Sequence, residues 1–170
     1  DLPIPLNGSP EAAGLPLAGY VLVVAVAAAA CFASLPRTRR LSTADTRRGL
    51  AALLVTSGAW AAVQAAFFLA PGEAAKTAIH VAGLVVGFST VGAWLYFASA
   101  YTNRTYHRDP TVRRVAVAAF LVVVAVKVTN PLHGWYFTAT MVDEPFRHLA
   151  VHNHATHWVV TGAPVEMFHA

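Results

Sequence analysis

Apolar residues in this chain come in long blocks without charge, separated by short polar stretches, a pattern that predicts helices crossing a bilayer. Residues 15–35, rich in Val and Ala, form the first such block and are entered through Pro16; residues 49–70 form the second. The third spans 77–103, where 27 residues pass without Asp, Glu, Lys or Arg. That is longer than a perpendicular crossing needs, so tilt or an interfacial end is expected. The fourth, 115–130, is uncharged from Val115 to Val126, is interrupted by Lys127, and is expected to stop at Asn130-Pro131. Lys127 lies 13 residues beyond Arg114, about 20 Å along a helix, so its ammonium is expected to reach the far interface by snorkelling. A fifth apolar segment, 158–170, starts near His157-Trp158 but meets Pro164 and Glu166 before it crosses.

The expected fold class is therefore all-α: an integral membrane helical bundle with four complete transmembrane helices and the start of a fifth, in one domain over residues 1–170. No internal repeat and no low-complexity tract beyond the Ala/Val bias of the spans accompanies it.

Composition agrees with a chain solvated by lipid. Of its 170 residues 56% are hydrophobic and 12% charged, against roughly 25% charged in a soluble domain, and the mean hydropathy is +0.53. A disordered, coiled-coil or DNA-binding chain does not fit these values. Cys31 is the only cysteine, which excludes an intrachain disulfide and a thiolate cluster, and leaves it a packing role. The chain begins at Asp1 with no basic region ahead of the apolar run, so no intact signal peptide is expected.

The net charge of +4 changes the picture through its distribution. Arg37, Arg39, Arg40, Arg47 and Arg48 fall in one loop, and Arg104, Arg108, Arg113 and Arg114 in the next but one, so nine of the twelve basic residues lie in two alternate loops. The positive-inside rule assigns those loops to the cytoplasm, and the N-terminus and the 131–157 segment to the outside. The expected location is a cell membrane, in multi-pass form. The basic balance then encodes orientation, and no nucleic-acid partner is implied.

The densest chemistry lies in that outer segment: His133, His148, His152, His154 and His157 within 25 residues, beside Trp135, Tyr136, Phe146 and Trp158. Were 146–158 helical, His148 and His152 would share a face at i, i+4, and His154 and His157 at i, i+3. Imidazoles so spaced can bind zinc, copper or haem iron. Set against this is an interfacial belt of amphipathic rings, with proton sensing as a third use of histidine. HNHATH lacks the glutamate of a HExxH protease, and neither a phosphate-binding glycine loop nor a GxSxG elbow occurs, so no catalytic residue is assigned. Within the spans, Gly83 and Gly87 have the small-xxx-small spacing of close helix packing, expected between spans before a homodimer. Gln64 and His80 are the polar groups at membrane depth, the first expected in an interhelical hydrogen bond and the second at the interface.

Specific strings extend this. GAWLYFASAYTNR at 92–104 resembles the end of the third span in the seven-transmembrane N-terminal domain of sensor histidine kinases, with Asn103 at the glycine of a Tyr-Thr-Gly-Arg-like turn. TNPLHGWYF at 129–137 resembles that family's Asn-x-x-His-Gly turn, and PFRHLAV at 145–151 with HWVVTG at 157–162 is similar to its archaeal versions. The resemblance covers residues 15–162 and marks Tyr101, Arg104, Asn130, His133, Gly134, His148 and His157 as family-motif positions. It implies a membrane-embedded input module, here truncated near the fifth helix, normally followed by three more helices and cytoplasmic PAS and kinase domains. The chain carries no phosphoacceptor or ATP-binding motif, so it is not expected to be an enzyme by itself. Two rival functions stand beside it: a metal- or haem-binding oxidoreductase or metal-handling subunit that uses the outer histidines, and a structural subunit of a membrane complex.

Overall fold

The computed structural model describes residues 10–142, 148–157 and 159. Four helices account for most of them: α1 (Pro10–Ser34), α2 (Ala44–Leu69), α3 (Glu73–Tyr101) and α4 (Pro110–His133). Each is long and apolar enough to cross a membrane. The fifth apolar segment, 158–170, lies outside the described residues except at position 159.

The connections explain where the helices begin and end. A 3₁₀ turn, Leu35–Arg40, carries the chain off α1. The third span ends where Asn103 adopts the left-handed conformation at φ 55°. There the Arg104 N–H donates to Ser99 O at 2.8 Å and the Asn103 N–H to Ala100 O at 3.3 Å. Those paired bonds cap a helix whose next residue is left-handed, and asparagine tolerates that conformation best after glycine. Asp109 opens α4, its carboxylate accepting from the N–H groups of Thr111 and Val112 at 2.7 and 3.2 Å, with Pro110 in the first turn.

Packing runs in sequence order. α2 and α3 share the most extensive contact, α1 lies on α2, and α4 meets α3 over a smaller area. Glycines set the closest approaches. A Cβ at Gly49 would stand 2.8 Å from the Phe97 Cα, one at Gly58 2.9 Å from the Phe32 ring, and one at Gly87 3.1 Å from the Trp60 indole. Gly83 faces Val63 at 3.3 Å, so Gly83 and Gly87 both line the α2–α3 seam. Because the Gly49 contact is with backbone, no rotamer change relieves it. We expect Gly49→Ala to lower the thermal midpoint in detergent, by about 1–3 kcal/mol of stability, through forced separation of α2 and α3.

Along α4 the contact is thinner. Phe88 of α3 and Phe120 of α4 stack at 5.5 Å, and toward the far end the two helices part into a lateral groove of about 690 Å³ lined by residues such as Ala78, Val81, Val128 and Pro131. Leu121 and Val122 are exposed, as lipid-facing residues are.

The segment after α4 departs from the sequence expectation. It forms an antiparallel hairpin of β1 (Phe137–Val142) and β2 (His148–Asn153), with Phe137 opposite Asn153 and Val142 opposite His148. Phe137 and Leu149 are buried on its inner face, and β2 contacts α3. A helical turn at 155–157 follows. α4 itself continues past Asn130-Pro131 to His133. Proline there removes one N–H near the helix end, and the Gly134 N–H, donated to Asn130 O at 2.7 Å, completes the last turn. Gly134 is left-handed at φ 65°, which glycine adopts without steric cost.

Candidate functional site

At the hairpin end, α4 supplies two polar side chains that are almost completely buried, Lys127 and Asn130. Asn130 acts as a piece of β-ladder. Its Oδ1 accepts from the Tyr136 N–H at 2.7 Å and the Phe137 N–H at 3.1 Å, while its Nδ2 donates to Phe137 O at 2.9 Å. One amide thereby satisfies three backbone groups where the chain leaves the helix and enters β1. The adjoining turn is held by His133, whose Nδ1 accepts from the Trp135 N–H at 3.0 Å and whose Nε2 lies 3.1 Å from Thr129 Oγ1. Since a backbone N–H can only donate, the neutral ring carries its proton on Nε2. The Tyr136 carbonyl takes the His154 N–H at 3.1 Å, and Thr156 Oγ1 donates to Trp135 O. The hairpin is thus fastened at its base from both strands.

Lys127 is the charge at the centre of this end. Its Nζ donates to the Tyr136 hydroxyl at 2.7 Å and lies 4.4 Å from the Tyr136 ring centre and 5.4 Å from that of Phe88. At 3% exposure it does not snorkel to the interface. The phenol folds back from the hairpin base and reaches it first, and aromatic faces take the place of a counter-ion. Among the described residues no carboxylate pairs with it. Lys76 of α3 is handled similarly: its Nζ donates to Phe67 O at 2.9 Å and Phe68 O at 3.3 Å, capping the C-terminus of α2, and it lies 5.2 Å from the Phe67 ring centre.

His80 occupies the space between these groups. Its ring meets Phe137 edge-on at 4.8 Å and Phe67 at 5.9 Å, and its Nε2 is buried without a hydrogen-bond partner. Expected at the interface, His80 is half-buried here beneath the hairpin, with Phe137 against its ring. Gln64 is half-buried and makes no hydrogen bond among the described residues. Beside it Gly83 packs against Val63 in the α2–α3 seam. His157 packs on Tyr136 at 5.1 Å. Burial, and then the Lys127 charge, holds its imidazole below the ordinary histidine value, while burial pushes the Tyr136 phenol up.

The remaining candidate ligands are spread out. His148 and His152 lie on β2 four residues apart, about 13 Å along a strand rather than one helical turn, because the segment is extended where a helix was supposed. His152 and His154 are exposed, and both nitrogens of His133 are engaged. Among the described residues no three His, Cys, Asp or Glu side chains gather as a metal-binding group.

The opposite end holds a second cluster, which sequence reasoning missed. Asp45, in the first turn of α2, accepts from Arg108 Nη2 at 2.6 Å and Nε at 3.0 Å, and lies 3.3 Å from His107 Nε2. The other ring nitrogen of His107 is 3.0 Å from Ser99 Oγ, and its ring stands edge-on to Tyr96 at 5.0 Å. Ser99 Oγ also donates to Arg104 O at 3.2 Å and accepts from the His107 N–H at 3.3 Å. The serine is held by three bonds to the loop, so this Ser-His-Asp row fastens the 104–108 connection to α2 and α3 and presents no free nucleophile. Of the family-motif residues, Arg104 belongs to this loop, while Tyr101 is exposed beside it. A signal was present in the sequence: Asp45 is the only acid in a loop with five arginines. We expect Asp45→Ala to loosen this loop and to speed tryptic cleavage at Arg104 and Arg108.

Four apolar helices, capped at one end by a small hairpin and fastened at the other by an arginine-rich loop, define a multi-pass membrane protein. The family model for the N-terminal 7TM region of histidine kinase matches residues 17–164, and the chain belongs to that family. No curated protein and no solved structure matches it.

Proposed function

We propose that this chain is the transmembrane input module of a signal-transducing histidine kinase, with its N-terminus and hairpin outside the cell and its arginine-rich loops in the cytoplasm. The observation that carries the reading is the fastening of the hairpin to α4 through Asn130 and Lys127. An event at the hairpin therefore acts on a membrane-spanning helix, whose other end begins at the fastened loop. A stimulus shifts such a module only by binding two arrangements of the bundle unequally. The likeness of 145–151 and 157–162 to archaeal members belongs to the same proposal. Gly83 and Gly87 are occupied in the α2–α3 seam, so a homodimer would use another face.

Two measurements test this reading. In the parent kinase, replacing 137–153 by a Gly/Ser linker of equal length should change basal or stimulated autophosphorylation; unchanged signalling would overturn the input role. In intact cells, a membrane-impermeant maleimide should label Thr140→Cys and spare Arg39→Cys, and the reverse pattern would invert the orientation.

A further inference from the structure

The end of the bundle opposite the hairpin carries nine arginines against two aspartates, in segments 35–48 and 102–114, all of them among the described residues. Both acids are engaged. Asp45 holds Arg108 at 2.6 Å, with Arg48 at 3.7 Å, and the Asp109 carboxylate caps α4. Arg37 reaches Ser34 Oγ at 3.5 Å. The side chains of Arg39, Arg40, Arg47, Arg104, Arg113 and Arg114 are left exposed, and none pairs with a carboxylate among the described residues. The Asp45–Arg108 pair ties the two segments together, so these guanidiniums share one end of the bundle.

Their depth decides what meets them. Arg47 and Arg113 are the fourth residues of α2 and α4, and Arg114 directly precedes the uncharged block that starts at Val115. One helical turn is about 5 Å, and the headgroup layer is about 5–7 Å thick on each side of the hydrocarbon. These guanidiniums therefore stand in the layer of lipid phosphates, and lipid reaches them before a soluble partner does. Tyr101 and Tyr106, exposed at the same end, are amphipathic rings of the kind that lie at headgroup depth. Orientation requires only a count of positive charges. Unpaired guanidiniums at phosphate depth add a two-pronged donor for each phosphate.

We propose that this arginine-rich end binds the phosphates of anionic lipid headgroups through Arg39, Arg40, Arg47, Arg104, Arg113 and Arg114, while Arg108 serves as the tie between segments. Clusters of about four to eight basic residues beside a transmembrane helix attract anionic lipid in this way. The proposal goes beyond the input role. It needs only that the helices span a bilayer, and it holds whichever leaflet this end faces.

The test uses the whole chain in nanodiscs of mixed phosphatidylcholine and phosphatidylglycerol, without kinase output, so its failure is distinguishable from failure of the sensor reading. After extraction into mild detergent, native mass spectrometry counts the lipids that stay bound. Phosphatidylglycerol should be enriched about fivefold to tenfold over its share in the disc, and the enrichment should fall as salt rises. Arg39→Gln, Arg40→Gln, Arg47→Gln and Arg113→Gln together should abolish most of it. Lysine at the same four positions should keep the greater part, because the charge remains. Equal retention of the two lipids by the unaltered chain, which needs no variant to fold, would overturn the proposal. So would enrichment that survives in the glutamine set. Polyglutamate that binds as tightly in phosphatidylglycerol discs as in phosphatidylcholine discs would also overturn it, since the surface would then face a soluble acidic partner and not lipid.

Discussion

Replacing Asn130 by Ala should release the hairpin from the bundle while leaving the four helices in place. The substitution strips partners from the Tyr136 N–H, the Phe137 N–H and the Phe137 carbonyl together. A buried backbone group without a partner costs about 1–3 kcal/mol, and alanine leaves no atom to replace the amide. Allowing for water that enters as the base loosens, about 3–5 kcal/mol of docking free energy is lost. That corresponds to a rise of a hundredfold or more in amide exchange at Tyr136 and Phe137. Asn130→Asp separates the two halves of the interaction: it keeps the acceptor for both N–H groups, and replaces the donor to Phe137 O by a second acceptor oxygen. Its effect should fall well short of the alanine effect. Equal exchange in the two variants would mean that the ladder-like role of the side chain is wrong.

The second large effect concerns which partner of the Lys127–Tyr136 pair is removed. Tyr136→Phe deletes one oxygen and leaves the ammonium buried over its rings without its hydroxyl acceptor. A hydrogen bond to a charged group is worth about 1.5–3 kcal/mol, so stability should fall by about that much. Lys127→Met removes the charge itself but leaves the buried Tyr136 hydroxyl without its partner, so it should cost about 1–3 kcal/mol, whereas replacing both partners should come closer to neutral. The double variant should then be more stable than Tyr136→Phe alone, although it carries one more substitution. Thermal unfolding in a single detergent compares all three. If the double variant is the least stable, Lys127 contributes through something other than the buried charge.

Much of this was legible in the chain, and the exceptions share a cause. The four spans follow from uncharged runs, because lipid permits few other solutions for a polar backbone. Their ends moved by a few residues where local chemistry decides, as at Asp109 and Asn103. FTATMV at 137–142 alternates in polarity and pairs as β1, but six residues carry a weak signal, and the histidine spacing drew the reading toward a helix. That choice of period separated His148 from His152 in space. Lys127 was placed by distance along its own helix, and no such argument foresees an aromatic ring returning from the next loop. Asn130 is legible as a helix stop and His133 as one of the outer histidines, while Gly134 is marked only by family resemblance; the three together end a helix and start a strand within a few residues.

α4 combines both features in one body. Its 24 residues make a rod about 36 Å long, gripped at one end through Asn130 and Lys127 and started at the other by Asp109, directly after the Arg108 that Asp45 holds. Its flank lies only lightly on α3. A rod held at its tips and only lightly packed along its side is a mechanical link between the hairpin and the arginine loop, set beside a block of α1, α2 and α3 that glycine contacts such as Gly49 on Phe97 and Gly58 on Phe32 hold close.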